Sequence, residues 1–285
     1  MSQDEWPGLL RSADGIPLLV ADPEGYVANL GSEWDADFDE LPFHALSHLA
    51  RYLPQLVERR APLRQAIRSL LKKHTTGRVS LAVEAGCSIG SDLRALAAVA
   101  ERVVGFDGYI TPLRLARQQI TGAPIHIPTR DEGRGFSYAS DALTLRPNRR
   151  ISLVCADALD PPFLPESVDV VLATNLIDNV PSPINLLGQM DAILRPGGLL
   201  IIASPFNWVD EITPMNEQLA GGLDPTFQGM DSAAAIAELM GGKSSYHTHL
   251  RHEVLETQDV TWRVVEHKRC QVQYRVHVCA LRKKG

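Results

Sequence analysis

Nearly continuous apolar runs alternate with amphipathic segments through the middle of the chain. Four such runs cover residues 80–85, 102–107, 151–157 and 168–175. Runs of this length are typical of strands that are buried on both faces of a sheet. The segments after the first two runs repeat their apolar residues at helical spacing, with Ser91 and Thr111 as the expected N-caps. This alternation predicts an α/β fold with a doubly wound, mostly parallel sheet.

The pattern continues in a changed form toward the C-terminus. Ser182 and Pro183 open a further helix, which leads to a fifth strand with the sequence GLLIIAS. The last two apolar runs are HEVLETQDVTWRVV and RCQVQYRVHVCAL, and in the second Val272, Tyr274 and Val276 alternate with polar residues. Alternation of this kind indicates strands with one exposed face, so we expect an antiparallel pair at the sheet edge. The predicted sheet has seven strands.

The N-terminal part of the chain has a different pattern. The stretch GIPLLVADPEGYV predicts a strand followed by a turn at residues 22–25. Apolar residues at helical spacing over residues 43–57, and again after Pro62, predict two helices. We therefore divide the chain into an N-terminal arm with a helical extension, residues 1–76, and a sheet domain, residues 77–285.

Composition argues against several classes of partner. The 285 residues are 45 % hydrophobic and 22 % charged, with a net charge of −6, which is ordinary for a globular protein. No apolar run is long enough to span a bilayer, and the N-terminus lacks the pattern of a secretory signal. We therefore expect a cytoplasmic protein that does not bind membranes. A net negative charge without a concentrated basic face also argues against a nucleic-acid partner.

The charges are unevenly distributed. Residues 1–40 carry ten acidic side chains and one basic side chain, whereas residues 51–79 carry eight basic side chains and one acidic side chain. Such runs are usually solvated faces. Two other interpretations remain open: the acidic arm folds over the basic helices, or the basic helices meet an anionic substrate.

Metal ligands are not indicated by the cysteines or histidines. The four cysteines form no CxxC pair. His247, His249 and His252 are close in sequence, but no carboxylate or cysteine lies at a suitable spacing, and a solvated turn is the simpler interpretation. We expect no metal.

The stretch VEAGCSIGSDL follows the first predicted strand. A dinucleotide fingerprint GxGxxG that begins at Gly86 would need glycine at Ser88 and at Ser91, so that interpretation fails at two positions. The frame acidic-x-Gly-x-(Gly or Ser)-x-Gly fits instead, from Glu84 to Gly90. This loop, with polar residues after each of the next strands, resembles that of class I S-adenosylmethionine-dependent methyltransferases. The fold implied by the resemblance is Rossmann-like.

The resemblance implies S-adenosylmethionine as the cofactor and S-adenosylhomocysteine as the product. Ligands of such sheets lie beyond the carboxyl ends of the strands. The resemblance places the ribose hydroxyls at Asp107 and the methionine half at Asn175. The adenine is then expected at Tyr109, Asp157 and Ala158. The remaining cofactor contacts are expected from the glycine loop, through Glu84, Gly86, Cys87, Ser88 and Gly90.

Longer stretches narrow the resemblance. NLIDNVPSP, ASPFNWVDEITP and the C-terminal tail are similar to the methyltransferase domain of ovothiol synthases, which methylates the imidazole of a mercaptohistidine. This implies methyl transfer to a nitrogen, sulfur or oxygen of a small molecule, with imidazole and thiol compounds as candidates. Two alternatives remain open. One is a non-catalytic relative that binds S-adenosylmethionine or S-adenosylhomocysteine as a partner or sensor. The other is an aminopropyltransferase, which would need paired acidic residues.

Methyl transfer from a sulfonium requires the acceptor lone pair close to the methyl carbon, with water excluded. Asp178, three residues after Asn175, is the candidate base where the acceptor must lose a proton. Asn207 and Trp208 follow the fifth strand and are candidates for the acceptor pocket. We expect a small-molecule substrate as the partner, and a homodimer as the candidate assembly.

Overall fold

The computed structural model describes residues 9–34, 36–38, 40–58, 60–220, 227–242 and 249–285. Among these residues, the strands are β1 (Leu18–Leu19), β2 (Val79–Ala85), β3 (Ala100–Asp107), β4 (Pro128–Arg130), β5 (Phe136–Tyr138), β6 (Ile151–Ala156), β7 (Val168–Thr174), β8 (Leu194–Ser204), β9 (His252–His267) and β10 (Cys270–Lys283). The helices are α1 (Pro23–Leu30), α2 (Phe43–Tyr52), α3 (Pro62–His74), α4 (Leu93–Val99), α5 (Ile110–Thr121), α6 (Pro183–Ile193) and α7 (Ser232–Met240). Short 3₁₀ helices lie at Gly31–Glu33, Leu53–Leu56 and Ile177–Asn179.

The central sheet has the strand order β1-β6-β3-β2-β7-β8-β10-β9. β10 pairs antiparallel with β8 and β9, whereas the other neighbouring strands are parallel. The predicted doubly wound, mostly parallel sheet and its antiparallel edge pair are confirmed. The strand order reverses at β2, because β3 and β6 lie on one side of it and β7 and β8 on the other. A ligand is expected beyond the carboxyl ends of the strands at this point.

The sheet has one strand more than predicted. Leu18 and Leu19 of β1 pair in parallel with Cys155 and Ala156 at the edge of the sheet. Leu18 is fully buried, and it shares a cluster with residues of α5 and β6. The pattern GIPLLV indicated a strand correctly, but only the fold shows that this strand joins the main sheet.

Helices cover both faces of the sheet, which is why its strands are apolar throughout. On one face, α3, α4 and α5 contribute residues such as Ile67, Leu96 and Leu113 to the core, and on the other α6 and α7 contribute Leu187 and Leu239. The predicted helical extension thus shares a core with the sheet, and the division after residue 76 stays a prediction. Among the described residues, no helix has the length and apolar character needed to cross a membrane.

The turn predicted at residues 22–25 is the start of α1. Asp22 Oδ1 accepts a hydrogen bond from the amide of Gly25 at 2.9 Å, and Pro23 is the first helical residue. Asp, Pro and Gly serve turns and helix N-termini alike, so local chemistry does not distinguish them. The helix is stabilised because Tyr26 and Leu30 pack against the core.

Two predicted N-caps are wrong by one or two positions. α4 begins after Asp92 rather than Ser91, and α5 begins after Tyr109 rather than Thr111. Neither observed cap residue bonds to its helix through its side chain. The first amide of α5 instead donates to the hydroxyl of Tyr26 at 3.0 Å. Because Tyr26 is far from α5 in the sequence, the residues around the start of α5 carry no local pattern that predicts this hydrogen bond.

Ion pairs show where the two charged regions lie. Arg51 and Lys73, from the basic helices, pair with two glutamates of β9. Asp14, from the acidic arm, pairs with Arg114 of α5, with 2.6 Å between Asp14 Oδ2 and Arg114 Nε. These pairs join the basic helices to β9 and the arm to α5.

Candidate functional site

A cavity of about 840 Å³ lies at the carboxyl ends of β2 and β7, where the strand order reverses. One wall is the loop after β2 together with the ends of β3 and β7. The second wall consists of residues from 48–58 and 60–64, which include the end of α2 and the start of α3. The third wall is the β9–β10 hairpin, through Trp262 and its neighbours. Three segments that are distant in sequence therefore meet around one cavity.

The glycines of the loop after β2 are required by its geometry. Gly86 has φ +65°, and a Cβ there would lie 2.7 Å from Leu176 Cδ1. Gly90 has φ +76°, and a Cβ there would lie 2.7 Å from Leu93 Cδ1. The side chain of Gln119 donates to the carbonyl oxygen of Gly90 at 3.0 Å and holds the loop against α5. Both glycines therefore combine a left-handed backbone with a close approach.

Two residues other than glycine adopt positive φ at the cavity wall. Ser88 has φ 47° and Asn175 has φ 52°, and both line the cavity. Such conformations are unfavourable for residues with a Cβ and persist where the surrounding structure enforces them, often at functional sites. Ser88 thus takes a glycine-like conformation at the position where the predicted frame allowed glycine or serine.

Asp107 is held by two backbone amides at the end of β3. Its Oδ2 accepts from Ser88 N at 2.8 Å, and its Oδ1 accepts from Tyr109 N at 2.9 Å. Burial raises the pKa of Asp107, and these two hydrogen bonds counteract part of that effect. Each carboxylate oxygen can accept a further hydrogen bond. The carboxylate lines the cavity, and its contact with the ribose hydroxyls stays a prediction.

Three buried ionisable residues, Glu84, Asp92 and Arg64, lie next to the glycine loop. Burial, and then the charge of Asp92, raise the pKa of Glu84 well above its ordinary value, while the charge of Arg64 opposes this. Glu84, Asp92 and Arg64 are each at most 5 % exposed, and all three line the cavity. Glu84 Oε2, Asp92 Oδ1 and Arg64 Nη2 have no hydrogen-bond partner among the described residues.

The unpaired atoms fit the amino-acid half of S-adenosylmethionine. The acceptors Glu84 Oε2 and Asp92 Oδ1, with Asn175 Oδ1, which is also unpaired, suit an α-ammonium. Arg64 Nη2 suits the α-carboxylate. When bound, S-adenosylmethionine supplies a methyl group on a sulfonium. Buried polar atoms are normally paired, so these residues are incomplete without a ligand or solvent.

Arg64 and Asp92 were not predicted as site residues. A signal for Arg64 exists, because it lies at helical spacing with the apolar residues Ile67 and Leu71. A charged residue on the apolar face of a helix needs a partner in the fold. Asp92 lies within the stretch VEAGCSIGSDL but outside the predicted frame.

Cys87 contributes its backbone to the loop and its side chain to the core. Its amide donates to the carbonyl oxygen of Phe106 at 3.0 Å, which ties the loop to β3. The side chain is 3 % exposed, and burial raises the pKa of the thiol well above its ordinary value. Cys87 is therefore a protonated, structural cysteine at the cavity wall.

Aromatic side chains of the second and third walls also line the cavity. The rings of Tyr52 and Trp262 are stacked with centroids 6.2 Å apart, and Trp262 Nε1 and Gln55 Nε2 lack hydrogen-bond partners among the described residues. Burial, together with the charge of Arg51, lowers the pKa of His48 to about 4. His48 Nε2 lies 3.4 Å from Ser88 Oγ, so its ring lies beside the glycine loop. These walls therefore offer a neutral imidazole and two unpaired donors, none of which was among the predicted site residues.

Three predicted site residues lie outside the cavity lining. Asp178 is 1 % exposed, and its Oδ2 accepts from the amide of Asn207 at 2.8 Å. Trp208 stacks on Phe206 and donates from Nε1 to Ser232 Oγ at 3.2 Å. The loops after β7 and β8 thus bind to each other and to α7. The roles of Asp178 as a base and of Asn207 and Trp208 in the acceptor pocket stay predictions.

Asp157 and Ala158 follow β6 beside the end of β3. Asp157 is exposed, and its Oδ1 accepts from the amide of Leu159 at 2.8 Å, which is the bond of a local turn. Ala158 is buried. Neither residue lines the cavity described above, so their contact with adenine stays a prediction.

The histidines near residue 250 do not form a solvated turn throughout. His252 is 2 % exposed, with Nε2 3.5 Å from Asp191 Oδ1, and burial lowers its pKa to about 4. The prediction is therefore wrong at His252, because β9 begins there and buries its side chain. His247 lies outside the described residues. Within the described ranges, no three His, Cys, Asp or Glu side chains are grouped to hold a metal ion.

Known proteins are similar to this chain in domain type and fold. Residues 83–202 match the model of a family described as a methyltransferase domain. No curated protein matches the chain in sequence. A chain from the complex between the Trm112 methyltransferase activator of Haloferax volcanii and a methyltransferase is 15 % identical, over 84 % of this chain and 98 % of that chain, with a TM-score of 0.53. An S-adenosylmethionine-dependent methyltransferase from Methanosarcina mazei is 16 % identical, over 75 % of this chain and 97 % of that chain, with a TM-score of 0.50.

The chain contains a methyltransferase domain over residues 83–202. The two solved structures support its fold. The matched domain runs from the glycine loop to β8, so that it contains Glu84, Asp107 and Asn175. The unpaired atoms around the loop are those expected to hold S-adenosylmethionine as the methyl donor.

Proposed function

We propose that the protein transfers the methyl group of S-adenosylmethionine to a nitrogen, sulfur or oxygen atom of a small molecule. The observation that carries this proposal is the continuity of the cavity. The glycine loop and Asn175 line the same cavity as Tyr52, Gln55 and Trp262. A molecule held by these three side chains would therefore share the cavity with a cofactor held at the glycine loop.

The construction of the cavity favours a small acceptor over a macromolecule. The second and third walls are joined by Arg51 and Glu266, with 2.6 Å between Arg51 Nε and Glu266 Oε2, and by the stacked rings of Tyr52 and Trp262. These contacts restrict the opening between α2 and β9. A nucleic-acid or protein chain would need a wider surface, and the net charge of −6 adds no attraction for nucleic acid.

The unpaired donors indicate what the acceptor carries. A buried donor without a partner costs free energy, which a ligand with a hydrogen-bond-accepting nitrogen or oxygen would recover. Gln55 Nε2 and Trp262 Nε1 are such donors. Because of the resemblance to the mercaptohistidine methyltransferase domain, imidazoles and thiols are the first acceptors to test.

His48 is better placed than Asp178 to contact the acceptor. Its ring lines the cavity, and the lowered pKa of about 4 keeps it neutral near pH 7. A neutral imidazole has a free lone pair, whereas Asp178 is buried outside the lining of the cavity. Because a group with so low a pKa holds a proton weakly, we assign His48 the role of accepting a hydrogen bond from the acceptor and orienting it.

The test measures S-adenosylhomocysteine produced from S-adenosylmethionine with histidine, a mercaptoimidazole and a phenol as probes. We expect at least one probe to raise the rate above that without acceptor, and to gain the mass of one methyl group. Tight binding of S-adenosylhomocysteine without methylation of any small nucleophile would contradict the proposal and favour the sensor alternative.

A pair of tryptophan variants tests the acceptor wall. Trp262→Phe removes an unpaired donor at the cavity, and we expect the KM of the acceptor to rise about 2- to 10-fold, which corresponds to one neutral hydrogen bond. Trp208→Phe removes the bond to Ser232 outside the cavity and should leave this KM unchanged. Equal effects of the two variants would remove Trp262 from the acceptor site.

A further inference from the structure

Residues 16–34, here named the N-terminal clasp, contact two strand ends that are expected to hold the adenosine half of the cofactor. The clasp consists of β1, α1 and the 3₁₀ helix Gly31–Glu33. Its first part pairs with β6 at the sheet edge, and its second part bonds to the start of α5. Both neighbours directly adjoin residues predicted to bind ribose or adenine.

One hydroxyl joins the clasp to the backbone after Asp107. Tyr26 Oη donates to the carbonyl oxygen of Gly108 at 2.9 Å and accepts from the amide of Ile110 at 3.0 Å. These two groups flank Tyr109, whose amide donates to Asp107 Oδ1. The N-cap side chain of α5 makes no hydrogen bond to the helix, and Tyr26 satisfies the amide of the first helical residue, one of the amides that have no partner within a helix. The turn is therefore held by Asp107 on one side and by the clasp on the other.

A buried carboxylate holds the side chain of Tyr109. Glu33 is 7 % exposed and accepts hydrogen bonds from the hydroxyls of Tyr109 and Thr111, the latter at 2.7 Å. His44 Nε2 lies 3.2 Å from its other oxygen. A carboxylate is buried at low cost only where donors surround it. Burial, and then the bond to Glu33, raise the pKa of Tyr109, so its hydroxyl stays protonated and donates. The clasp thus orients a ring that lines the cavity.

The clasp also adjoins the second strand end. The carbonyl oxygen of Pro17 accepts from the amide of Cys155 at 2.9 Å, and β1 pairs with Cys155 and Ala156. Asp157, the predicted adenine contact, is the next residue. Parallel pairing at this position limits the movement of β6 just before its carboxyl end.

We propose that the N-terminal clasp positions the adenosine half of S-adenosylmethionine, with Tyr26 and Glu33 as positioning residues. They act through the Gly108–Tyr109 turn and do not touch the cofactor. The inference rests on the placement of ribose at Asp107 and adenine at Tyr109. A turn that is already held in one conformation loses less entropy when the ligand binds, so the contacts increase affinity.

Tyr26→Phe is the most direct test, because it keeps the ring and removes only the hydroxyl. Calorimetric titration with S-adenosylhomocysteine and with adenosine should show both affinities reduced by a similar factor, about 5-fold. Tyr138→Phe, which removes the hydroxyl of a half-exposed tyrosine on the β4–β5 hairpin, is the matched control and should change neither affinity.

Two further measurements separate positioning from a general loss of stability. In the ligand-free Tyr26→Phe protein, the amides of residues 108–111 should exchange with solvent faster, while those of β8 should not. Glu33→Gln keeps an acceptor oxygen for Tyr109, so its affinity for S-adenosylhomocysteine should lie between that of the wild type and that of Glu33→Ala.

The outcomes distinguish this inference from the proposed function. Wild-type binding of S-adenosylhomocysteine with unchanged affinity in Tyr26→Phe and Glu33→Ala would overturn the clasp alone. A variant that binds S-adenosylhomocysteine more weakly but binds adenosine with wild-type affinity would also overturn the clasp alone. Failure of the wild type to bind S-adenosylhomocysteine would overturn both proposals.

Discussion

Two groups of residues that line the cavity are brought there in different ways. The group at the strand ends is here named the cofactor end, and the group from α2 and the β9–β10 hairpin is named the acceptor end, after the proposed function. At the cofactor end, Glu84, Asp107 and Asn175 each lie at or next to the carboxyl end of a parallel strand, so the sheet register brings them together. At the acceptor end, Tyr52 and Trp262 come from an N-terminal helix and a C-terminal hairpin. The first end depends on the geometry of the sheet, and the second on how distant segments pack.

The difference indicates what substitutions do at each end. The cofactor end is constrained in its backbone, with positive φ at Gly86, Ser88 and Asn175, so changes there should affect folding and cofactor binding for every acceptor. The acceptor end is constrained mainly by side chains, so changes there should affect the acceptor and little else. The following predictions test this contrast, beginning with the largest expected effect.

Gly86→Ala should be the most damaging substitution. The added Cβ meets Leu176 Cδ1 at 2.7 Å on a left-handed backbone, so we expect the free energy of unfolding to fall by about 2–4 kcal/mol. Binding of S-adenosylhomocysteine should be lost.

Gly77→Ala is the matched control, because Gly77 has φ +70° but nothing within 4 Å of the added Cβ. Denaturant unfolding should show a smaller loss there, about 1–2 kcal/mol. Equal losses would mean that the close approach to Leu176 is not a constraint.

Asp107→Ala should weaken binding of S-adenosylhomocysteine by about 1.5–3 kcal/mol, or roughly 10- to 150-fold, through loss of hydrogen bonds to a charged group. Calorimetry measures the effect. Asp160→Ala removes an exposed carboxylate after β6 and should leave the affinity unchanged. An Asp107→Ala protein with wild-type affinity would remove this residue from the cofactor site.

Glu84→Gln should stabilise the free protein and weaken cofactor binding. Burial raises the pKa of Glu84 above its ordinary value of 4.5, so the folded state binds this proton more tightly than the unfolded chain. Stability contributed by the protonated group is therefore lost as pH rises from 4.5 toward the raised pKa. Glutamine avoids that loss, and we expect a gain of about 1 kcal/mol, or ~2 °C in Tm, near neutral pH. Affinity for the cofactor ammonium should fall because glutamine, unlike Glu84, cannot give up a proton and become negatively charged beside the ammonium.

Thermal unfolding between about pH 4 and 8 checks the sign of this effect. The difference in Tm between Glu84→Gln and the wild type should widen as pH rises. A difference that does not depend on pH would show that Glu84 does not titrate as a buried carboxyl group.

Arg51→Gln should have the smallest effect on stability. The ion pair with Glu266 is partly exposed, with 42 % of the Arg51 side chain accessible, so the free energy of unfolding should fall by less than about 1 kcal/mol. The pKa of His48 should rise, because the charge of Arg51 helps to lower it. NMR titration of His48 measures this, and Lys73→Gln, which breaks an ion pair elsewhere on β9, is the control.

The sequence carries more information about the cofactor end than about the acceptor end. Gly86, Ser88 and Asp107 line the cavity, and each lies within a few residues of a strand whose apolar pattern is clear. Arg64 was not predicted, although its position on the apolar face of α3 is a usable signal. Trp262 had no such signal, because its neighbours at the cavity come from segments about two hundred positions away.

Three predicted site residues lie outside the lining of the cavity for a common physical reason. Asp178, Asn207 and Trp208 were assigned to the site because they follow strands that end at the site edge. In the fold, the amide of Asn207 bonds to Asp178 and the indole of Trp208 bonds to Ser232, so these loops satisfy their polar groups with each other. Position along the chain shows where a loop begins, but the partners available in space decide where its side chains lie.

By itself, the sequence determined the alternation of strands and helices, the antiparallel C-terminal pair and the glycine loop with its acidic neighbours. These features depend on periodicity and on backbone requirements within a few residues. Only the tertiary structure decided that β1 joins the sheet, that Tyr26 caps α5 and that His48 and Trp262 face one cavity. Those contacts depend on long-range packing, which no local pattern of residues records.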